Sequence, residues 1–449
     1  MNRQQNKRLT VATQTLGCKV SQYESEAIAE AFEASGYEVR AFGEMCDVYV
    51  INTCTVTAES DRKSRQMIRR AIKKNPLAIV CVCGCYSQTS PDEVSAIDGV
   101  GIVIGTKDKL SLPSLVEEVR KRREAGDFSP LVVRETLEDA TFEPMRITRA
   151  PRTRAYVKIE DGCECRCTYC AIPGARGPVR SKMPEEVICE VEALYRTGVR
   201  EVVLTGIETA SYGADFDNGY RLGDLLSDLD RRASAERIRL GSLTPELMTA
   251  TFVEKIRSLS LLVPHFHLSM QSGSDGVLRR MKRRYNIRMA KEALARLREA
   301  MPRVEFTTDL MVGFPGETEE EFEETLAFVR EARFLDIHVF AYSRRPNTPA
   351  AEYEGQVSED VKHRRSAILI ELKNRIRDEI LDMYVREGRV LDVVMEKRHE
   401  DGTYSSHADS FVEVRVCVDG CEKDLHGEIV EVVPVSHENG VILAKLNKM

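Results

Sequence analysis

Along the first 115 or so residues, short β-branched runs alternate with stretches whose apolar positions recur at helical spacing. VATQT (Val11 to Thr15) leads into a helix from about Ser21, VYVIN (Val48 to Asn52) into one from about Ala58, and AIVCV (Ala78 to Val82) into a further turn. Such alternation predicts a parallel α/β sheet. From Ala155 the pattern resumes in longer units, with strand candidates AYVKI at 155, EVVLT at 201, RIRLGS at 237, HFHLSM at 265, RVEFTTDLM at 303 and LDIHVFAY at 335. Helical segments such as Pro184 to Arg196 and Glu317 to Arg330 separate them. Six βα units in succession predict a barrel of parallel strands that stops short of the usual eight. A long amphipathic helix, about Ser358 to Val385, ends the repeat.

The tail has another rhythm. Short strands near Arg389 to Glu396, Phe411 to Val418, Glu428 to Val433 and Val441 to Lys445, with Gly at the turns, predict a small antiparallel β-barrel. The organisation expected is therefore an α/β domain over residues 1–120, a charged, poorly periodic linker over 121–150, a partial barrel with its trailing helix over 151–385, and a β domain over 386–449.

Composition narrows the class. With 42% hydrophobic and 31% charged residues in 449, the chain is expected to be globular rather than disordered or coiled-coil. Its longest apolar stretch, Leu77 to Cys85, is far short of the roughly 20 residues of a spanning helix. The polar start MNRQQNKRLT lacks the apolar core of a signal peptide. A cytoplasmic location without membrane association is expected, where thiols stay reduced and clustered cysteines serve as metal ligands or catalysts. The net charge of −7 gives no global sign of a nucleic-acid partner, which must then be sought in local patches.

The thirteen cysteines sort into two groups. In DGCECRCTYCAIPGARG, Cys163, Cys167 and Cys170 form CxxxCxxC directly after the strand AYVKI. A loop of this length can turn three thiolates toward one point, as a metal cluster requires, and three ligands to a four-iron cluster leave one iron open. A zinc knuckle with a fourth ligand from elsewhere, Cys165 included, is the alternative reading. Cys18, Cys54 and Cys85 each follow a predicted strand within a few residues. In a parallel sheet those strand ends share one edge, so the three can converge as a second metal site; the alternative is three small buried residues. Cys46, Cys81, Cys83, Cys189, Cys417 and Cys421 stand outside both groups.

CxxxCxxC with an aromatic residue before its last cysteine resembles the radical S-adenosylmethionine (SAM) enzymes. The trio TLGCK, NTCTV and GCYSQ resembles the methylthiotransferases among them, as do LTGIETASYG, SMQSGSDGVLRRM and TTDLMVGFPGETEEEF, in that order, and the tail resembles a TRAM domain. RAYVKIEDGC followed by ARGPVRSK is similar to the group that acts on threonylcarbamoyladenosine (MtaB-type). The resemblance implies two four-iron clusters, one on Cys163, Cys167 and Cys170 that chelates SAM, the other on Cys18, Cys54 and Cys85 that carries the sulfur. Tyr169, Gly206, Gln271 and Gly273 would contact the cofactor. The implied reaction is methylthiolation of C2 of N6-threonylcarbamoyladenosine at position 37 of tRNA, with a flavodoxin-like or ferredoxin-like electron donor. Sister activities act on isopentenyladenosine in tRNA or on a ribosomal-protein aspartate, and a non-catalytic zinc-containing RNA-binding protein is the alternative of another class.

Three basic runs are candidates for phosphate contact: Arg176 to Lys182, Arg279 to Arg284, and Arg62 to Lys74, the last also readable as a solvated helix face. Three features depart from the family pattern: Gly174 replaces an aromatic residue, Glu208 and Thr209 replace a histidine and a hydrophobic residue, and Cys165 is an additional thiol. The tail carries eight Lys and Arg against thirteen Asp and Glu from Arg386 onward, so RNA contact there is expected from a small patch around Lys397, Arg398 and His399.

Overall fold

The computed structural model describes residues 8–134, 136–138, 141–150, 153–418 and 423–447. Its N-terminal sheet has six strands, β1 (Thr10–Thr15), β2 (Glu38–Val39), β3 (Val48–Thr53), β4 (Ile79–Gly84), β5 (Val100–Ile104) and β6 (Leu131–Val133), in the order β2-β1-β3-β4-β5-β6. All pairings are parallel. β3, β4 and β5 are buried along their whole length, which is why they read as mainly apolar runs, only Asn52 and Thr53 at the end of β3 being polar. Alternate residues still divide between the faces: Val48, Val50, Cys81 and Cys83 pack on one side, Tyr49, Ile51, Val80 and Val82 on the other. Cys81 and Cys83 are thus core residues.

The second unit opens with β7 (Arg154–Lys158). β8 (Glu160–Asp161) and β9 (Arg180–Ser181) then pair antiparallel, and β10 (Glu201–Thr205), β11 (Arg237–Leu240), β12 (Ser242–Leu243), β13 (His265–Gln271), β14 (Glu305–Val312) and β15 (Asp336–Ala341) continue the parallel array. The six predicted barrel strands are all present. The RIRLGS strand is interrupted at Gly241, which ends one hydrogen-bonded ladder, β11-β10-β7, and begins the next, β12-β13-β14-β15. On β13, Phe266, Leu268 and Met270 join the main core, whereas His265 and His267 line a cavity inside the barrel. The helix Glu359–Glu387 lies against β15.

The tail closes into a five-stranded barrel, consistent with a TRAM-like domain, from β16 (Leu391–Arg398), β17 (Tyr404–Ala408), β18 (Glu413–Cys417), β19 (Ile429–Glu438) and β20 (Val441–Leu446), ordered β16-β17-β18-β20-β19. Two details differ from the expectation. β18 and β20 pair in parallel, so the barrel is not wholly antiparallel. β17 was absent from the sequence pattern because its inward positions are Tyr404, Ser406 and Ala408, only one of them large and apolar. The 121–150 stretch, expected as a linker, contains the end of the helix Leu112–Glu124, the edge strand β6, and Met145 and Ile147, which are 0% and 1% exposed in the main core.

Candidate metal centres at the strand ends

β1, β3 and β4 are neighbours in the sheet, and their C-terminal ends carry Cys18, Cys54 and Cys85. Cys18 is the N-cap of the helix Lys19–Ala34, Cys54 follows β3 directly, and Cys85 begins the helix Cys85–Thr89. Gly84 permits that last turn. Its φ of +100° suits glycine, and a Cβ there would lie 2.5 Å from the Thr53 carbonyl oxygen. The three thiols feel one another electrostatically. Burial pushes the Cys54 thiol up to about 11 and raises Cys85, whose Sγ accepts a hydrogen bond of 3.3 Å from Arg176 Nε. Such thiols ionise when a metal replaces the proton.

The CxxxCxxC loop is pinched at its base by the β8–β9 pair. Gly162 has φ +90°, and a Cβ there would meet the Pro178 carbonyl oxygen at 1.9 Å, so only glycine closes the loop. Thr168 fastens the other side, its amide to the Met281 carbonyl at 3.1 Å and its hydroxyl to the Arg280 carbonyl at 2.9 Å. Ligand atoms of Cys163, Cys165 and Glu208 lie within 4.8 Å of one another. Cys167 accepts from Arg283 Nη1 at 3.4 Å, and Cys170, raised to about 12 by burial, senses Cys167 and Cys165. All six candidate ligands are free cysteines.

Around this loop several buried polar atoms have no partner among the described residues, including Oε1 of Glu208, Oε1 of Gln271, Oε2 of Glu246 and the Thr209 hydroxyl. Burial, with the Cys165 charge second, lifts the Glu208 carboxyl to about 8. Gln271, the last residue of β13, is held at φ +61°. A polar, charged cofactor beside a cysteine-held cluster fits this donor and acceptor set. Tyr169 packs edge-on against Phe314 at 6.4 Å. At Gly206 and Gly273 the space of a Cβ is taken by protein atoms, Glu160 Oε2 at 2.4 Å and the Thr325 Cα at 2.6 Å, so helix and side-chain packing demands these glycines.

The two cysteine groups are tied together by a buried charge network. Glu24 accepts from Arg176 at 2.5 Å, Lys109 at 2.5 Å and Lys158 at 3.2 Å. Asp161 lies 3.2 Å from Arg176, 3.2 Å from Lys158 and 3.5 Å from Arg180. Arg176 belongs to the turn after Cys170, so one guanidinium spans from the cluster loop to Cys85. A cavity of about 640 Å³ is bordered by Thr55, Gln88, Gly174, Arg345 and Cys170, the last being the candidate ligand that lines it.

This network corrects one expectation. Arg176, Arg180 and Lys182 are 0–3% exposed and paired with Glu24, Asp161 and Glu190, so they hold the core and cannot meet a phosphate. In the second run, Arg280 is paired with Glu321 and Arg283 faces Cys167, leaving Arg279, Lys282 and Arg284 exposed. Lys397 and Arg398 are exposed at the end of β16. Cys421 lies outside the described residues. Sequence reasoning noted Glu208 only as a departure and Arg176 only as a basic residue; both sit in motifs it had marked, but burial and partners are not visible in one dimension.

Residues 157–329 match the Radical SAM superfamily and residues 10–105 a family described as Uncharacterized protein family UPF0004. The chain is 43% identical to the threonylcarbamoyladenosine tRNA methylthiotransferase MtaB of Bacillus subtilis, over 94% of this chain and 93% of that one. It is 37% identical to the tRNA-2-methylthio-N(6)-dimethylallyladenosine synthase of Desulforamulus reducens, over 85% and 84%. A solved radical SAM methyltransferase, TsrM of Kitasatospora setae with cobalamin and a [4Fe-4S] cluster bound, shares the fold at a TM-score of 0.57 and 16% identity, covering 77% of each chain. SAM and [4Fe-4S] chemistry, an enzymatic activity and a tRNA substrate follow from this kinship: the chain belongs to the radical SAM methylthiotransferase family.

Proposed function

We propose that the enzyme places a methylthio group on C2 of N6-threonylcarbamoyladenosine at position 37 of tRNA, using two four-iron clusters. Cys163, Cys167 and Cys170 would hold one, and Cys18, Cys54 and Cys85 the other. The observation that carries the reading is the 43% identity to a threonylcarbamoyladenosine enzyme along nearly the whole of both chains, above the 37% to a dimethylallyladenosine enzyme. The cluster held by Cys163, Cys167 and Cys170 would supply the electron for reductive cleavage of SAM, the radical chemistry that an unactivated aromatic carbon requires.

The chain's own contribution is placement. β8 and β9 close the loop that presents Cys163, Cys167 and Cys170 at the C-terminal end of the barrel strands, where barrel sites are built. Glu208, Gln271 and Thr209 offer unpaired polar atoms for the amino, carboxylate and ribose groups of SAM. Arg176, held by Glu24 and Asp161, fixes Cys85 relative to that loop, and Arg283 neutralises charge at Cys167. Reduction requires an outside electron donor of the flavodoxin or ferredoxin kind.

The test is the tRNA nucleoside profile of a deletion strain. Loss of methylthiolated threonylcarbamoyladenosine alone supports the assignment. Its persistence, with loss of the methylthiolated isopentenyl nucleoside instead, refutes it.

A further inference from the structure

We propose that Lys19 and the barrel-interior cavity it borders bind the carboxylate of the threonylcarbamoyl group, making this cavity the specificity pocket of the enzyme. The inference rests on the substrate reading above. Lys19 is the first residue of the helix that follows Cys18, so it stands beside a proposed cluster ligand. It borders a cavity of about 360 Å³ with Arg239, His265, His267, Thr307 and His338 on four barrel strands, and the trailing helix and the tail barrel close its other side through Arg377 and Phe411. Among the described residues Lys19 has no hydrogen bond or ion pair.

The surroundings call for an anion. Arg239, Arg237 and Arg154 all approach the buried carboxylate of Glu201, at 2.8, 3.7 and 3.8 Å, and Arg154 is paired with Glu396 as well. The acids nearby are committed: Asp309 accepts from His267 Nε2 at 3.2 Å and His338 Nδ1 at 3.1 Å, and Asp336 is bound to Lys373 at 2.9 Å, while Glu413 sits at the exposed rim. His267, Asp309 and His338 bring ligand atoms within 4.8 Å of one another, but the ammonium of Lys19 on the same cavity opposes a metal cation there.

The remaining groups match the rest of the threonylcarbamoyl unit, which carries a urea, a hydroxyl and a carboxylate. Thr307 Oγ1 lies 3.1 Å from His265 Nε2 and 2.9 Å from His267 Nδ1. The other nitrogen of His265, a residue 3% exposed, has no partner among the described residues. A hydrocarbon substituent such as dimethylallyl would leave this nitrogen and the ammonium without a partner, and sites built for polar partners reject analogues that lack them.

The experiment uses the full reconstituted enzyme and anticodon stem-loop RNAs bearing threonylcarbamoyladenosine, its carboxylate methyl ester, or unmodified adenosine, with binding followed by fluorescence anisotropy. The wild type is expected to prefer the free acid over the ester by about 10- to 100-fold, the range for one charge-assisted hydrogen bond. Lys19→Met should bind acid and ester alike at the ester's affinity, and Lys19→Arg should keep most of the preference. Equal wild-type affinities for acid and ester overturn the proposal without any variant, and so does a Lys19→Met enzyme of wild-type iron content that still prefers the acid. Because binding is read without turnover, a deletion strain that keeps its methylthiolated threonylcarbamoyladenosine would defeat the substrate assignment separately.

Discussion

Glu24 offers a sharp test of how the two cysteine groups are held together. Its carboxylate is fully buried among Arg176, Lys109 and Lys158, and with Asp161 it faces four cations when Arg180 is counted. Glu24→Gln keeps the shape and removes the charge, leaving Asp161 paired with Arg176, Lys158 and Arg180 and, among the described residues, no ion pair to Lys109. Removing one partner from a buried ion pair costs about 3–5 kcal/mol, because the other charges stay desolvated and unpaired. At about 2 °C per kcal/mol, as for large domains, the unfolding midpoint at pH 7 should fall by about 6–10 °C. Differential scanning fluorimetry on metal-free protein reads this directly, with Glu59→Gln, in an exposed pair with Arg62, as a control that should not move. The pH dependence adds a second readout. Burial alone would raise the Glu24 pKa, but Arg176, Lys109 and Lys158 overcome it and hold the group well below the carboxylate range. Its stabilisation is therefore complete above the unfolded value of about 4.3 and is lost as pH falls through the folded value. The gap between wild type and variant should be constant from pH 8 to about 5 and close only in stronger acid. A midpoint within about 2 °C of wild type at pH 7, or a gap that closes near pH 6, would refute the reasoning.

Replacing Cys18, Cys54 and Cys85 with Ala should reduce the iron of the reconstituted enzyme from about eight to about four per chain while reductive SAM cleavage continues, with no sulfur reaching tRNA. The corresponding Cys163, Cys167 and Cys170 variant should form no 5′-deoxyadenosine, which chromatography of the reaction mixture would register. Gly162→Ala forces a Cβ onto the Pro178 carbonyl, so it should lose the cluster of the CxxxCxxC loop and keep the other, leaving about four irons and no SAM cleavage. Charge removal at exposed Arg279 or Lys282 should weaken tRNA binding across sequences and lower the salt slope by about one per residue, whereas Arg180→Gln should act on stability instead.

Much of the fold was legible because periodicity reports burial. β3, β4 and β5 are mainly apolar, with Asn52 and Thr53 at the end of β3, since helices cover both faces, and the six barrel strands announced themselves by the same rule. β17 escaped because Ser406 and Ala408 face inward where apolar residues were sought. Met145 and Ile147 escaped because they reach the core from an irregular segment whose neighbours are charged and which has no period to read.

The sequence by itself determined the chemistry available: the cysteine spacing, the order of the motifs and the strands those motifs follow. These are local properties, set by a few residues and the hydrogen-bonding pattern of one element. Tertiary structure alone decided which charges are buried and which are free. Arg176, Arg180 and Lys182 look like a phosphate-binding run in one dimension, yet partners 152, 19 and 8 residues distant, Glu24, Asp161 and Glu190, turn them into core. Lys19 looks like an ordinary helix-start residue, and only the closure of the barrel around it leaves its ammonium facing a cavity without an ion pair among the described residues. The physical reason is the same in both cases. The cost or benefit of a charge depends on the dielectric and the partners that distant segments bring to it, and those are properties of the folded chain.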